Sequence, residues 1–352
     1  MAEALEELRA RVVEAHRSRT PLRLRGAGTK DFYGEGRDGA VLALDEHRGV
    51  EDYEPSELVI TARCGTRLSE IEALLERHGQ FLAFEPPGFG GDPTIGGVIA
   101  AGLSGPRRSQ AGAARDFVLG AVLLSVEGEL LHFGGKVMKN VAGFDVARLL
   151  CGSLGILGVI TEVSLKVLPR PRAEQTLRLE LTASATIESF NRWAALPLPL
   201  SAAAWWQGSA WVRLSGAAPA VRAACERIGG ERIDAAPARA WWEALRHCRL
   251  PLFEREVLWR VSLPAAAPPL ALAGELLIDW GGAVRWYADP QDAAAVRARA
   301  AEAEGTALCW RGPAPQGRLH PLSPPVAALH RRLKARFDPQ GLFNPGRLVA
   351  GL

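Results

Sequence analysis

A chain of 352 residues is longer than one hydrophobic core usually serves, so two domains are expected. With 48% hydrophobic and 23% charged residues it is a globular chain, not a disordered one, and no run approaches the roughly 20 apolar residues that a bilayer crossing needs. A formal net charge of +3 gives no reason to expect nucleic acid, and the one basic cluster, HRRLKAR (330–336), sits in a helical pattern and reads as a solvated helix face.

In chain order, Leu5, Leu8, Val12 and Val13 mark one face of an opening amphipathic helix. That segment mixes acids and bases and has no apolar stretch of the kind a signal peptide needs. PLRLRG predicts a strand, followed by the turn-rich GAGTKDFYGEG. AVLAL (40–44) and ELVITARCG (57–65) predict two more strands. TRLSEIEALLERHG places Leu68, Ile71, Leu74, Leu75 and His78 on one helix face, with Gly79 as the stop. A glycine-rich stretch, TIGGVIAAGLSG (94–105), ends this alternation. DFVLGAVLLSVEGELLHFGG then predicts a hairpin turning at Glu-Gly, FDVARLLCG a short helix, and ILGVITEVSLKVLP a long strand segment. From Pro169 the tone changes, with PRPR (169–172) as a boundary.

The second half is rich in Ala, Pro and Trp, and all ten Trp lie between Trp193 and Trp310. These fit either a docking surface or an ordinary core. ELLIDWGGAVRWYA (275–288) predicts a hairpin at Gly281-Gly282. DPQDAAAVRARAAEAEG predicts a helix with Asp289 as N-cap, Pro290 at the first position and Gly305 as a stop. A basic helix and a turn-rich tail, FDPQGLFNPGRL, follow. Cys64, Cys151, Cys225, Cys248 and Cys309 are scattered without a CxxC, which excludes an encoded zinc site or iron–sulfur cluster and predicts buried reduced thiols of a cytosolic protein.

Three glycine-rich stretches are candidate sites. RGAGTK (25–30) follows a strand, and its two glycines allow successive N–H groups to face an anion such as a pyrophosphate, with Arg25 and Lys30 adding charge. It is neither GxGxxG nor a P-loop, and a plain surface turn is the competing reading. TIGGVIAAGLSGPRR (94–108) predicts a Thr-capped helix whose N-terminus offers N–H groups and a dipole to an anion, while its small residues let the backbone lie against a ring. A tightly packed core helix is the alternative. FDVARLLCGSLGILGVI (144–160) repeats the theme. Together the three suggest one extended dinucleotide-like ligand.

RGAGTK, LAFEPPGFGGDPTIGGVIAAGLSGPRR, AGAARDFVLG, KVMKNVAGFDVARLLCGSLGILGVITEVSLKVLP and FDPQGLFNPGRL together resemble the FAD-binding fold of the vanillyl-alcohol oxidase/p-cresol methylhydroxylase (PCMH-type) superfamily. Within it, the chain is most similar to the family of smaller FAD-binding subunits of bacterial glycolate oxidases. The resemblance implies an α+β protein. A PCMH-type FAD domain would span 1–169 as two α+β subdomains (about 1–50 and 51–169), an α+β cap domain 170–325 would cover the flavin, and 326–352 would return to the FAD domain.

It implies that Arg25, Gly26, Ala27, Gly28, Thr29 and Lys30 cradle the pyrophosphate. Thr94, Ile95, Gly96 and Gly97, with Ser104, Gly105 and the upstream Pro87, would line the pyrophosphate and the flavin ring. Gly152, Ser153, Gly155, Gly158, Val159 and Ile160 would hold the adenine end, and Asn344 and Arg347 match the tail near the flavin. The loop GAGTKDF lacks the flavin-linking His of covalent members, so FAD would be non-covalent.

The metal-binding HxxxxxxH and GDGNLH-like segments of related 2-hydroxy-acid dehydrogenases are absent. His16, His47, His78, His132, His247, His320 and His330 lack that spacing and read as solvated or core residues, so no metal is expected. Oxidising a 2-hydroxy acid needs a cation for the carboxylate, a base and a flavin. Arg107, Arg108 and Arg285 are candidate cations, and no base presents itself. The resemblance therefore implies the FAD-binding subunit of a glycolate dehydrogenase complex, oxidising glycolate to glyoxylate or relaying electrons. Its partners would be a larger homologous FAD subunit and an iron–sulfur subunit, and it would be cytoplasmic or peripheral to the inner face of the membrane through that complex. The alternatives are a self-sufficient FAD oxidoreductase using a pyridine nucleotide, or a flavin-free scaffold.

Overall fold

The computed structural model describes residues 2–36, 38–135, 145–289, 292–315, 317–349 and 351. The chain divides into two compact units. The first comprises Met1–Leu103, Ala113–Pro169 and Pro321–Leu352; the second comprises Ser104–Gly112 and Arg170–His320.

In the first unit, β1 (Leu22–Arg25) and β2 (Ala40–Ala43) form a parallel pair. A five-stranded antiparallel sheet is built from β3 (Val50–Glu54), β4 (Val59–Arg63), β6 (Val118–Leu124), β7 (Leu130–Gly134) and β8 (Val159–Lys166), in the order β3-β4-β8-β6-β7. Short strands β5 (Gln80–Phe81) and β9 (Leu168–Pro169) pair with each other. β4 and β8 lie inside the sheet with both faces covered, so consecutive residues are buried: Val59, Ile60, Thr61 and Ala62 in β4, and Val163, Ser164 and Leu165 in β8. The Ala2–Ser18 helix turns Leu8, Val12 and Ala15 onto Leu22, Leu42, Leu124, Val159, Leu342 and Phe343. Leu22 bridges Phe343 directly, so the tail is an integral part of this core.

In the second unit, β10 (Ala173–Glu180), β11 (Leu200–Trp206), β12 (Ser209–Gly216), β13 (Glu231–Ile233), β14 (Leu258–Ser262), β15 (Glu275–Asp279), β16 (Val284–Ala288) and β17 (Thr306–Arg311) form one antiparallel sheet. Its order is β13-β10-β12-β11-β15-β16-β14-β17. Helices Ala183–Ala194, Ala218–Ile228, Ala235–Arg246 and Ala293–Glu302 accompany it. The 275–288 hairpin forms as expected, turning at Trp280–Gly282.

Two sequence expectations change, the cap of one helix and the solvation of another. The N-cap of the Ala293–Glu302 helix is Asp292, whose side chain accepts from Ala294 N at 2.9 Å. Asp289 instead ends β16 with φ 53°, its N–H donated to Val257 O, and Pro290 lies outside the described residues. The basic C-terminal helix, Pro324–Phe337, is not solvated throughout: Lys334 is only 6% exposed. Of VMKNVAGFDV, only Asp145 and Val146 fall within the described residues. Finally, none of the ten Trp is exposed. Trp193, Trp242, Trp259, Trp286 and Trp310 are buried and the other five half-buried, so the set reads as packing rather than as an open docking face.

Candidate functional site

The first unit contains a pocket. Its wall is drawn from the end of β1 and its loop (Leu24–Asp31), Cys64 at the end of β4, the Ile95–Ala101 helix, Leu154, Gly155, Gly158 and Ile160, and the tail residues Asn344 and Arg347. All of RGAGTK lines it. So do Thr94, Gly96, Gly97, Gly155, Gly158, Ile160, Asn344 and Arg347.

The loop after β1 leaves its main chain open. Among the described residues, the N–H groups of residues 26–30 find no acceptor within the protein. Five open donors on one turn are the nest expected from the sequence. The turn is held from outside. Arg347 donates to the carbonyls of Lys30 and Asp31 at 3.1 and 3.0 Å, and to those of Glu35 and Gly36. Asp31 accepts from Arg23 at 2.6 Å and from Arg25 at 3.1 Å.

The Thr94 helix behaves differently. Its side chain caps as predicted, accepting from Gly97 N at 3.4 Å. The N–H of Ile95 is donated to Thr66 O, and that of Gly96 to Cys64 O. The first turn therefore has no open donors, and its expected anion site is not there. The small residues serve close packing instead. A Cβ on Gly96 would stand 2.6 Å from Cys64 Cβ, and one on Gly26 would stand 2.2 Å from Thr94 Oγ1. The helix is a wall seated against the β4 end and against the RGAGTK loop.

The remaining sequence candidates divide. Ile95 and Val159 are fully buried core residues, and Pro87 and Ser153 are buried without lining the pocket. Gly152 N donates to Ile99 O, which ties the 152–158 loop to the Thr94 helix and spends Gly152 on packing. Ser104 and Gly105 group with the second unit and are not on this wall.

The tail is fixed by a buried knot. Lys334 Nζ donates to Asp338 Oδ2 (2.6 Å), Ile156 O (2.7 Å) and Phe343 O (2.8 Å). Asp338 accepts in turn from the N–H groups of Leu342 and Phe343. Asn344 is thereby placed to accept from Leu24 N at 2.8 Å and donate to Leu154 O at 2.7 Å, joining both pocket loops.

Sequence reading missed Leu24, Asp31, Leu44, Cys64, Pro93, Ala100, Ala101 and Leu154. Asp31, three residues after Gly28 and beside Lys30, carried a usable signal; Cys64 carried none. Burial pushes the Cys64 thiol up to about 12, so it lines the pocket as an inert small residue.

Two of the three candidate substrate cations are committed elsewhere, inside the second unit. Arg285 is fully buried and donates to Gly282 O and, at 2.7 Å, to Ala267 O. Burial lowers it to about 10, and it is a structural residue of β16. Arg107 is 9% exposed and is paired with Glu174, with Ser215 Oγ at 3.3 Å. Arg108 packs its guanidinium 4.2 Å from the Trp280 ring, where Arg260 also stacks at 4.6 Å. His247 bonds Glu243, and His320 accepts from Ala307 N. Among the described residues, no group of three or more His, Cys, Asp or Glu could hold a metal ion, and no helix is long and apolar enough to cross a membrane.

The antiparallel sheets, the nest and the tail-locked pocket define a PCMH-type FAD-binding fold, and the model of the FAD binding domain family FAD_binding_4 matches residues 1–134. A solved alkyldihydroxyacetonephosphate synthase shares the fold with a TM-score of 0.68 at 15% identity, covering 97% of this chain and 74% of that one. The glycolate oxidase subunit GlcE of Escherichia coli is 45% identical over 348 residues, 99% of this chain and 98% of that protein. This chain belongs to the family of that subunit, and it is an FAD-dependent oxidoreductase. The glycolate oxidase subunit GlcD of Bacillus subtilis is 32% identical over 45% of this chain and 34% of its own length. A D-lactate dehydrogenase of Archaeoglobus fulgidus is 31% identical over 47% and 38%.

The residues present fit FAD. Open main-chain donors would face a diphosphate, Arg25 and Lys30 would add positive charge, and Gly26 lets the loop lie against Thr94 where a side chain would not fit.

Proposed function

We propose that this chain is the FAD-binding subunit of a multi-subunit glycolate dehydrogenase, holding FAD non-covalently for oxidation of glycolate to glyoxylate or for electron relay within the complex. The observation that carries the reading is the match to a glycolate oxidase subunit along nearly all of both chains. When bound, the flavin supplies a two-electron acceptor for the hydride of a 2-hydroxy acid. The protein's own part is to hold and shield it. The N–H groups of residues 26–30 hold the diphosphate, Arg347 fixes their turn, and Asn344 sets the spacing between Leu24 and Leu154. Among the described residues no histidine lines the pocket, in keeping with the proposed non-covalent attachment. Ile160, Gly155 and Gly158 form the wall proposed for the adenine end.

The proposal includes a division of labour. A larger homologous FAD subunit would oxidise the substrate and an iron–sulfur subunit would carry electrons onward, since five scattered cysteines cannot ligate a cluster here. The same proposal assigns 1–169 and 326–352 to the FAD domain and 170–325 to the cap, and holds any membrane association to be peripheral, through the complex. The test is purification of this chain alone and with its native partners, followed by flavin and iron counting. Acid should release the flavin, and glycolate turnover should appear only with the partners. Brisk glycolate oxidation by the isolated chain would refute the division of labour.

A further inference from the structure

The loop after β1 carries an excess of positive charge with one carboxylate among it. Arg23, Arg25, Lys30 and Arg347 cluster around Asp31, and that carboxylate is already bridged by Arg23 and Arg25. Arg347 is committed to four main-chain carbonyls. Lys30 is the exception. Among the described residues its ammonium has only Thr29 Oγ1, at 3.4 Å, and the face of Phe89, 5.7 Å from the ring centroid. An ammonium that lines a cavity without an acid partner is a site prepared for an anion that arrives from outside.

We propose that Lys30 couples FAD capture to the uptake of one proton, the cofactor's diphosphate supplying the negative charge that the pocket withholds. The inference rests on FAD occupying this pocket. Burial has brought the Lys30 amine down to about 7, so above neutral pH the empty pocket holds mostly the neutral amine. A diphosphate beside it favours the ammonium. The other charged or titratable side chains on the wall are Arg25, Asp31, Cys64 and Arg347. Asp31 is bridged by Arg23 and Arg25, and burial pushes the Cys64 thiol up to about 12. On the Phe89 side Lys30 faces the aromatic ring. Comparison with Lys30→Met assigns the proton to this amine.

The consequence is an FAD affinity that is flat below neutrality and weakens above it, by about tenfold per pH unit until the amine's value in the complex is reached. Calorimetric titration of the deflavinated protein with FAD at pH 8, in two buffers of different ionisation enthalpy, should show uptake of about 0.9 proton per FAD. Lys30→Met should bind more weakly at pH 6.5, take up no proton and lose the pH dependence. Lys30→Arg should bind tightly at pH 9, also without uptake. Wild-type binding with no proton uptake would overturn the proposal without needing any variant. So would uptake that persists in Lys30→Met. A wild-type protein that binds FAD nowhere between pH 6 and 9 would instead remove the cofactor reading itself, a result distinct from binding without a proton.

Discussion

Around the pocket of the first unit, side chains are withdrawn and the main chain does the polar work, with open N–H groups on residues 26–30 and glycines at the closest approaches. The sheet of the second unit works the other way. Several of its arginines lie on aromatic faces and carbonyls: Arg108 and Arg260 on Trp280, Arg213 on Trp242, Arg297 on Trp259, and Arg285 on two main-chain oxygens. Those cations lie on groups of the second unit itself, while the first keeps open donors on residues 26–30 and one amine in reserve. That contrast separates a surface prepared for a ligand from one that only holds itself together.

Four measurements can break or sharpen the contrast. The largest effect is expected from Asp338→Ala, which strands the Lys334 ammonium in the interior and should cost roughly 3–5 kcal/mol in chemical unfolding, with loss of flavin. Arg285→Met should cost roughly 2–3 kcal/mol by leaving the carbonyls of Gly282 and Ala267 unpaired. The FAD affinity of the folded fraction should be unchanged; a matching loss of affinity would mean that the second unit is not self-satisfied.

Gly26→Ala should cost about 1–3 kcal/mol, because its Cβ would meet Thr94 Oγ1 at 2.2 Å, and the purified protein should be pale. Adding Thr94→Ala should restore part of the colour if that clash is the cause. The smallest effect concerns the deflavinated protein. The Lys30 amine lies at about 7 when folded and higher when unfolded, so the unfolded chain binds the extra proton between those values. Wild-type thermal stability should therefore rise from pH 7 to 9 relative to Lys30→Met, and saturating FAD should flatten the difference.

The elements were legible where periodicity or turn chemistry is local. The 275–288 hairpin, the Thr94 cap and the strand into RGAGTK could all be read from a few neighbouring residues. The site was legible only in part. TIGG and RGAGTK look alike as strings, yet one has its N–H groups donated to Cys64 and Thr66 and the other does not, a difference made by partners some 30 residues away that no local pattern announces. Arg285 looked available because charge can be read from a sequence and burial cannot. The N-cap moved from Asp289 to Asp292 because Asp289 is claimed by β14's neighbourhood, through Val257 O. Lys334 sat inside a basic run whose other members suggested water, and its partner Asp338 lies just beyond the helix.

The bond from Leu24 to Asn344 closes the pocket across 320 residues of sequence. A ribosome must therefore translate all of the second unit before the cradle has its last wall, and the early glycine loop waits through that synthesis for Asn344.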